Sequence, residues 1–324
     1  MVSISYHDTV NVLQGTMEAP SPFDRWQWFE LLAQSGVTPV IVQAQDGENQ
    51  TFLPLARRGG KLESLVNWYS FHWRPSGSHA PTQLRAIAND LLSQTHRVTL
   101  WPVPDEDGSA TTLEKTFTDA GWMVQREKCD ENHVLEVGGR SFSDYWASRP
   151  GPLRTILARK AKRIKISIQT TFNVEVWSEY EAIYANSWKP QEGNPALLRR
   201  FAEQEGDAGR LRLAVARFKG KPVAAQFWTT DKGTAYIHKL AHLDEHSDLS
   251  AGTTLSAALF EYVIDQDKVE RIDFGTGDDK YKSDWMEAAR PRFRLDCLNP
   301  NRPRAWASLA KREILRLAQG GGQS

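Results

Sequence analysis

Asp248-Leu-Ser-Ala-Gly-Thr-Thr-Leu255 is the stretch on which the reading of this chain turns. A strand-like run, Thr234 to Leu243, ends just before it, and a helical pattern, Gly252 to Asp267, opens within it. Ser250, Ala251 and Gly252 are small enough for a ligand to approach the backbone. The free N–H groups of a first helical turn, together with the helix dipole, favour a phosphate there. Ser-Ala-Gly is equally an ordinary way to start a helix. Outward from this point the order is regular. Leu211–Phe218 and Val223–Thr229 read as strands joined by Lys219-Gly-Lys-Pro222, and Asp231-Lys-Gly233 turns into the third strand. Beyond the helix come a short strand, Arg271–Phe274, a short helix, Asp278–Ala288, and a last strand, Phe293–Leu298.

The N-terminal half repeats that order without evident residue identity. Phe23–Gln34 reads as an amphipathic helix. Pro39–Ala44 and Thr51–Ala56 read as a hairpin, and aromatic-rich Val66–Trp73 as a third extended segment. Pro81–Gln94 follows as a helix, then the strand Val98–Val103, the helix Ser109–Ala120 stopped by Gly121, and two short strands, Trp122–Gln125 and His133–Val137. Between the halves, residues 149–165 carry Arg149, Arg154, Arg159, Lys160, Lys162, Arg163 and Lys165 with no acid, around Leu153, Ile156, Leu157, Ala161 and Ile164. This predicts one basic amphipathic helix, either a solvated linker face or a surface for phosphates or anionic headgroups. Arg302–Leu317 repeats the theme, and a flexible Gly-rich tail follows.

Composition narrows the function. With 324 residues, two domains are the expectation. Lys+Arg 40 against Asp+Glu 40 gives no basic excess, which argues against a DNA-binding protein. Two cysteines make no disulfide framework and suggest a reducing compartment. No signal peptide is visible, and no apolar run approaches the ~18 residues of a membrane span. The 12 tryptophans are many for this length and suit binding surfaces and membrane interfaces.

Several groups carry chemistry. In Asp273-Phe-Gly-Thr-Gly-Asp-Asp-Lys-Tyr-Lys-Ser-Asp-Trp285 a strand ends in two glycines before a short helix, with Tyr281 and Trp285 four apart on one face. A Tyr hydroxyl there either packs in the core or donates a proton to a leaving thiolate. His238, His242 and His246 are spaced by four. On a strand they spread over roughly 27 Å and cannot meet at one metal, so none is expected. Strict alternation puts Tyr236, His238, Leu240 and His242 on one face, with Lys239 on the opposite, apolar one. Cys129 lacks the context of a nucleophile, and no Walker, Gly-x-Gly-x-x-Gly, Gly-x-Ser-x-Gly or His-Glu-x-x-His motif occurs.

Residues 140–298 resemble the GNAT-like acyltransferases grouped with the FemAB aminoacyltransferases and the cellulose-biosynthesis acetyltransferases. The resemblance rests on Gly220-Lys-Pro-Val-Ala-Ala-Gln-Phe-Trp228, Ile237-His-Lys-Leu-Ala241, Leu249-Ser-Ala-Gly-Thr-Thr-Leu255 and Ile272–Trp285, with support from Ser187-Trp-Lys189 and the Leu153-Arg154 region. It implies an α+β fold of tandem GNAT-like (acyl-CoA N-acyltransferase) domains, with mixed central sheets flanked by helices. The segments would be 1–140, a degenerate first copy; 141–190, a basic connector; 191–300, the catalytic copy; and 301–324, a basic helix and tail. It implies transfer of an acyl group from acyl-CoA to an amine, with no metal. Ser250, Ala251, Gly252, Thr253 and Thr254 would take the donor diphosphate. Tyr281 would be the acid, and His238 or Asp279 the base. Asp273, Gly277, Asp278, Lys282 and Trp285 would line the acceptor cleft, with Trp188, Lys189, Lys239 and Arg154 completing the substrate set. The implied acceptor is an amine of a cell-envelope component, a sphingoid base or an amino sugar, handled in the cytoplasm with peripheral contact to the inner membrane. Two rival readings are an aminoacyl-tRNA-dependent transferase of peptidoglycan and a non-catalytic ligand-sensing module.

Overall fold

The computed structural model describes residues 2–15, 19–78, 80–277 and 279–306. The chain divides into two units, Met1–Asp130 with Pro291–Ser324, and Glu131–Arg290. In the first unit β1 (Ser3–His7), β2 (Pro39–Asp46), β3 (Asn49–Arg58) and β4 (Lys61–Ser64) form an antiparallel run, and β5 (Ser76–Gly77) pairs with β3. Helix α1 (Trp26–Gln34) lies between β1 and β2 in the chain. Helix α2 (Pro81–Gln94), with Pro at its first turn, crosses to β6 (Arg97–Val103), which runs parallel to β4, and α3 (Ser109–Asp119) follows. Residues Phe293–Leu298 then pair antiparallel with β6.

The second unit repeats this topology. Its sheet takes Asn132–Glu136 of β7 (Met123–Glu136), antiparallel to β12 (Arg271–Thr276). Ahead of the sheet's core strands come α4 (Phe142–Ala147), α5 (Gly151–Lys160), β8 (Lys165–Gln169), α6 (Val174–Ala185) and α7 (Pro195–Asp207). Strands β9 (Leu211–Phe218), β10 (Lys221–Asp231) and β11 (Thr234–His242) are antiparallel, and β8 closes the edge on β9. Helix α8 (Ala251–Glu261) crosses over to β12, which runs parallel to β11. A short α9 (Lys282–Trp285) leads into β13 (Ala288–Leu298), the strand that supplies Phe293–Leu298 to the first unit. Each unit is thus a mixed sheet flanked by helices.

Side-chain size explains how the second unit's layers seat. Ala214, Ala216, Ala224 and Ala235 give the sheet a floor of fully buried small residues beneath α8, and Trp228 and Phe260 fill the remaining space edge to face, their centroids 5.4 Å apart. On the other face α6 and α7 pack on Phe227 through Trp177 (5.4 Å) and Phe201 (5.9 Å). Asn173 and Asn194 cap these helices, each side chain accepting from backbone N–H groups of the first turn. In the first unit Ser21, Asp24, His72 and Arg74 form a buried polar cluster. The Ser21 hydroxyl donates to Asp24 at 2.7 Å, and the Arg74 guanidinium lies 3.3 Å from that carboxylate.

Six expected elements differ. Val66–Trp73 is not a strand, because its aromatic side chains are satisfied in the core instead: the Trp73 indole donates to the Pro54 carbonyl at 2.8 Å and Phe71 packs on Phe23. Trp122–Gln125 and His133–Val137 belong to one long strand, β7. The basic segment is α5, then a 3-10 turn at Ala161–Arg163, then β8, because Ile166 and Ile168 alternate into pairing with Ala216 and Ala214. The helix expected from Gly252 to Asp267 changes to π geometry at Tyr262. The helix expected over 278–288 is confined to Lys282–Trp285. The Arg302–Leu317 helix lies from residue 307 onward outside the described residues.

Helix α7 tolerates no side chain at Gly206: an added Cβ would stand 2.6 Å from the Phe172 backbone nitrogen and 2.8 Å from its Cβ. Gly206→Ala should therefore lower stability by about 1–3 kcal/mol, read as a lower urea midpoint at unchanged slope.

Candidate functional site

The register of β11 against β10 slips by one. Phe227 faces Lys239 and Trp228 faces Ile237, which leaves His238 as the extra residue of a β-bulge. The bulge resets the alternation. Ala235, Ile237 and Leu240 pack with the α8 layer, whereas His238 and Lys239 both face α6 and α7. This corrects the expected placement of Lys239 opposite His238. The His238 ring lies among Phe201, Phe227 and Tyr236, with Nε2 2.8 Å from the Thr229 hydroxyl. Lys239 lies under the Tyr184 ring and within 3.2–3.3 Å of the Glu192 carboxylate, the two side chains only 10% and 12% exposed. Burial, partly opposed by the Glu192 charge, brings the Lys239 ammonium down to about 8.

Beyond the bulge β11 leaves β12. The parallel ladder covers Thr234–Tyr236 against Arg271–Asp273, with no further pair among the described residues. At the far end of β11, His242 returns to the α8 side: a Cβ on Gly252 would meet its Nδ1 at 3.3 Å. Trp188, 45% exposed, lies over the His242 ring at 4.1 Å, and the Lys189 ammonium lies 5.2 Å from the Trp188 ring. Burial, aided by Lys189 and opposed by Asp244, lowers the His242 pKa, so its ring is neutral at pH 7.

Helix α8 starts at this point. Ser250 is left-handed (φ 49°, ψ 40°), the next residue is helical, and no side chain caps the helix. A left-handed residue followed by a helical one turns successive N–H groups toward one point, a concavity suited to an anion. Thr254 is committed elsewhere, its N–H and hydroxyl both donating to the Ser250 carbonyl at 3.0 and 3.2 Å. The Lys160 ammonium donates to the Ser250 hydroxyl at 3.1 Å, bringing a positive charge to the same spot. The turn is fixed from below. Gln226, buried in β10, donates to the Gly252 carbonyl at 3.2 Å and the Ser256 hydroxyl at 2.7 Å, and accepts from the Trp228 indole at 2.8 Å. Ala251 is buried and Thr253 half-buried.

The residues after β12 form a second group. Asp273 stands beside Tyr236 and is buried, accepting from Asn132 at 3.0 Å and from the Gly275 N–H at 2.8 Å. Lys282 is buried too, its ammonium donating to the Thr276 and Gly277 carbonyls, and a Cβ on Gly277 would meet that ammonium at 3.2 Å. Trp285 is in the core against Phe260 and Trp146, and its carbonyl accepts from the Tyr145 hydroxyl at 2.8 Å. Tyr281 is 36% exposed beside Phe274, and burial, then the Asp279 charge, raises its pKa, so the phenol keeps its proton. Asp279 is exposed, 3.9 Å from the Lys282 ammonium. Asp278 lies outside the described residues. Arg154 is exposed on α5.

The structure therefore gathers Ser250–Thr254, Trp188, Lys189 and His242 at one end of β11, and Gly277, Asp279, Tyr281 and Lys282 at the end of β12. His238 sits by Phe201 and Phe227, whereas Tyr281 sits by Phe274. Sequence reasoning gave no site role to Gln226 or Glu192, and did not foresee that Lys160 meets Ser250. Gln226 was visible as a polar residue in an apolar strand. Lys160 was visible only as one member of the basic run, and Glu192 had no signal, because only the folded chain brings them to Ser250 and Lys239. Among the described residues no group of three His, Cys, Asp or Glu side chains is placed to hold a metal ion.

Comparison with known proteins matches the acetyltransferase (GNAT) domain family to residues 135–283, which lie within the second unit. No curated protein matches the chain. Among solved structures it resembles FemX (TM-score 0.65, 9% identity, 92% of this chain and 98% of that one). It also resembles the C-terminal domain of a protein assigned as a lysylphosphatidylglycerol synthetase from Agrobacterium fabrum (0.57, 13%, 89% and 91%). A third likeness is to a tandem GNAT protein from the clavulanic acid biosynthesis pathway (0.50, 13%, 91% and 98%). At these identities the likeness is one of fold.

The Lys239–Glu192 pair carries a pH signature. Below pH 8 Lys239 is charged both folded and unfolded, and the cost of its burial stands in full. Between about 8 and its ordinary 10.5 the unfolded chain holds a proton that the folded protein has released, so rising pH favours the folded state. Wild-type stability should climb relative to Lys239→Met across that window, measured as urea midpoints. Parallel profiles would show that burial does not perturb this lysine.

Proposed function

We propose that the second unit transfers an acyl group from an acyl-CoA thioester to a primary amine of a cell-envelope component. The observation that carries this reading is the start of α8: an uncapped helical turn behind a left-handed Ser250, with the Lys160 ammonium beside it, inside a GNAT-type domain. Amide hydrogens of Ala251, Gly252 and Thr253 would receive the donor diphosphate, and Lys160 would add charge. The thioester would then lie along β11 toward the place where β11 and β12 part. Backbone N–H groups of β11 freed by that parting stabilise the oxyanion. The amine nitrogen attacks the thioester carbonyl, the C–S bond breaks, and Tyr281, still protonated at neutral pH, donates to the departing thiolate. His238 or Asp279 removes the amine's proton. The acceptor is a sphingoid base or an amino sugar, reached by a cytoplasmic protein in peripheral contact with the inner membrane. No helix among the described residues is long and apolar enough to cross that membrane.

The fold shared with FemX and with the lysylphosphatidylglycerol synthetase domain favours one alternative, an aminoacyl donor carried on tRNA. The exposed cations Arg154, Arg159, Lys162, Arg163 and Lys165 would then face the nucleic acid.

Calorimetric titration with acetyl-CoA should show saturable binding. Gly252→Val should weaken it at least tenfold, because the side chain would crowd His242 and the diphosphate site. Binding of tRNA with no binding of acetyl-CoA would establish the alternative instead. In a thiol-release assay Tyr281→Phe should cut turnover by about 10²-fold or more while acetyl-CoA affinity holds. Unchanged turnover removes Tyr281 from the chemistry.

A further inference from the structure

A primary aliphatic amine with a pKa of about 10 reaches a protein at neutral pH as an ammonium ion. It has two protons to lose on the way to an amide. One leaves after attack on the thioester carbonyl, and His238 or Asp279 serves that step. The other must leave first, because an ammonium nitrogen has no lone pair with which to attack. The β11 bulge puts a second base on the path. Ala235, Ile237 and Leu240 close the α8 face of the strand, so the amine approaches from the α6 face, to which the bulge turns both His238 and Lys239. Lys239 lies between Tyr236, where the pairing with β12 ends, and His242, which touches Gly252. That is the stretch along which the thioester would lie.

Glu192 reaches Lys239 from the segment between α6 and α7, at 3.2 Å. The pair lies one side chain deep, since Gln191 and Gly193 on either side of Glu192 are exposed. From α6 the Tyr184 ring faces the Lys239 ammonium at 5.3 Å, and Lys189 adds its charge from the same segment as Glu192. The residue opposite on β10 is Phe227, which carries no charge. Burial outweighs the Glu192 charge, so the amine and ammonium forms of Lys239 are both well populated near pH 8. A buried ion pair is a poor way to stabilise a fold, because packed apolar residues do as well or better. An amine poised beside a carboxylate is suited to exchanging protons. We propose that Lys239 and Glu192 receive the acceptor as an ammonium ion and remove its first proton. Glu192 attracts the incoming charge. The lone pair of the uncharged Lys239 takes a proton from the acceptor nitrogen, which leaves a neutral acceptor amine and a Lys239 ammonium held by Glu192. The acceptor then attacks the thioester carbonyl, and Lys239 returns its proton to solvent after turnover. This rests on the acyl-transfer reading and adds to it the residues that prepare the acceptor.

The test follows thiol release from acetyl-CoA by the full-length protein as a function of pH, with micellar sphinganine and with glucosamine as acceptors. Turnover needs Lys239 uncharged, so kcat/KM for the amine should rise with pH and level off above about 8. Lys239→Arg keeps the positive charge and the partner but cannot give up its proton. It should lose about 10²-fold or more at neutral pH with acetyl-CoA affinity unchanged. That defect should shrink as pH approaches the acceptor's own pKa, where the amine arrives already neutral, a dependence that a merely structural pair would not produce. Glu192→Gln removes the charge that favours the Lys239 ammonium, so the rise should move to lower pH while KM for the amine increases about tenfold. Undiminished turnover by Lys239→Arg, or a defect of constant size at every pH, overturns the proposal. If neither amine is turned over, Lys239 itself decides. In protein isotope-labelled at lysine Cε, the signal missing from Lys239→Arg should titrate near 8 and move to lower pH when either amine is added in excess, because a second positive charge beside it disfavours protonation. A midpoint at the ordinary 10.5, or one that neither amine moves, overturns the proposal. Failure of the acyl-transfer reading shows separately, as absence of acetyl-CoA binding to the wild-type protein, and it takes this assignment with it.

Discussion

One surplus residue in β11 governs the geometry of the second unit. β10 has no partner for His238, so the strand bends there and the side chains beyond it exchange faces. Without that slip Lys239 would point into the alanine floor beneath α8, where a charged group would have no carboxylate to meet. With it, Lys239 joins Glu192 on the α6 side, and His242 arrives against Gly252. The same bend accompanies the loss of pairing with β12 after Tyr236. Strand distortion, buried ion pair and helix start are thus consequences of a single register shift.

The start of α8 shows how the neighbouring layer is held while its amides stay available. A helix usually satisfies its first N–H groups with a side chain at the cap. α8 uses a left-handed serine instead, and the turn is steadied through its carbonyl and Ser256 by Gln226. Gln226 in turn accepts from the Trp228 indole, so its buried amide is satisfied at both its nitrogen and its oxygen. The support comes from beneath, and no side chain caps the first turn.

Much of this was legible in the strand and helix periodicity. Leu211–Phe218, Pro81–Gln94 and the crossover after β11 follow directly from apolar spacing: β9 is a run buried on both faces, and α2 buries one face through Leu84, Ile87, Ala88 and Leu91. The bulge was not legible: alternation in Thr234–Leu243 is as regular on paper as in any strand, and the slip is set by pairing with β10. Nor was β8, since Ile164, Ile166 and Ile168 fit either a helix or a strand until β9 offers its edge. Of the candidate site, the Ser250–Thr254 segment and Tyr281 stood out as motifs. Asp273, Lys282 and Trp285 belong to the same motif but fold inward, where they brace the loop after β12.

The two sheets do not own their strands in the order in which the chain supplies them. The strand after α3, β7, gives Asn132–Glu136 to the second unit, and the first unit waits for Phe293–Leu298 to cover β6. During synthesis on a ribosome, the segment 131–290 therefore emerges with every strand of its sheet, whereas the N-terminal unit, though made first, keeps one flank of β6 unsatisfied until the last strand appears. Vectorial folding is reversed relative to sequence. The earlier unit is the one that must be shielded longest from edge-to-edge association, and it is completed by a pairing nearly two hundred residues long in sequence separation, of the order of the 199 between Arg97 and Asp296, whose ion pair at 2.6 Å fastens the late strand in place.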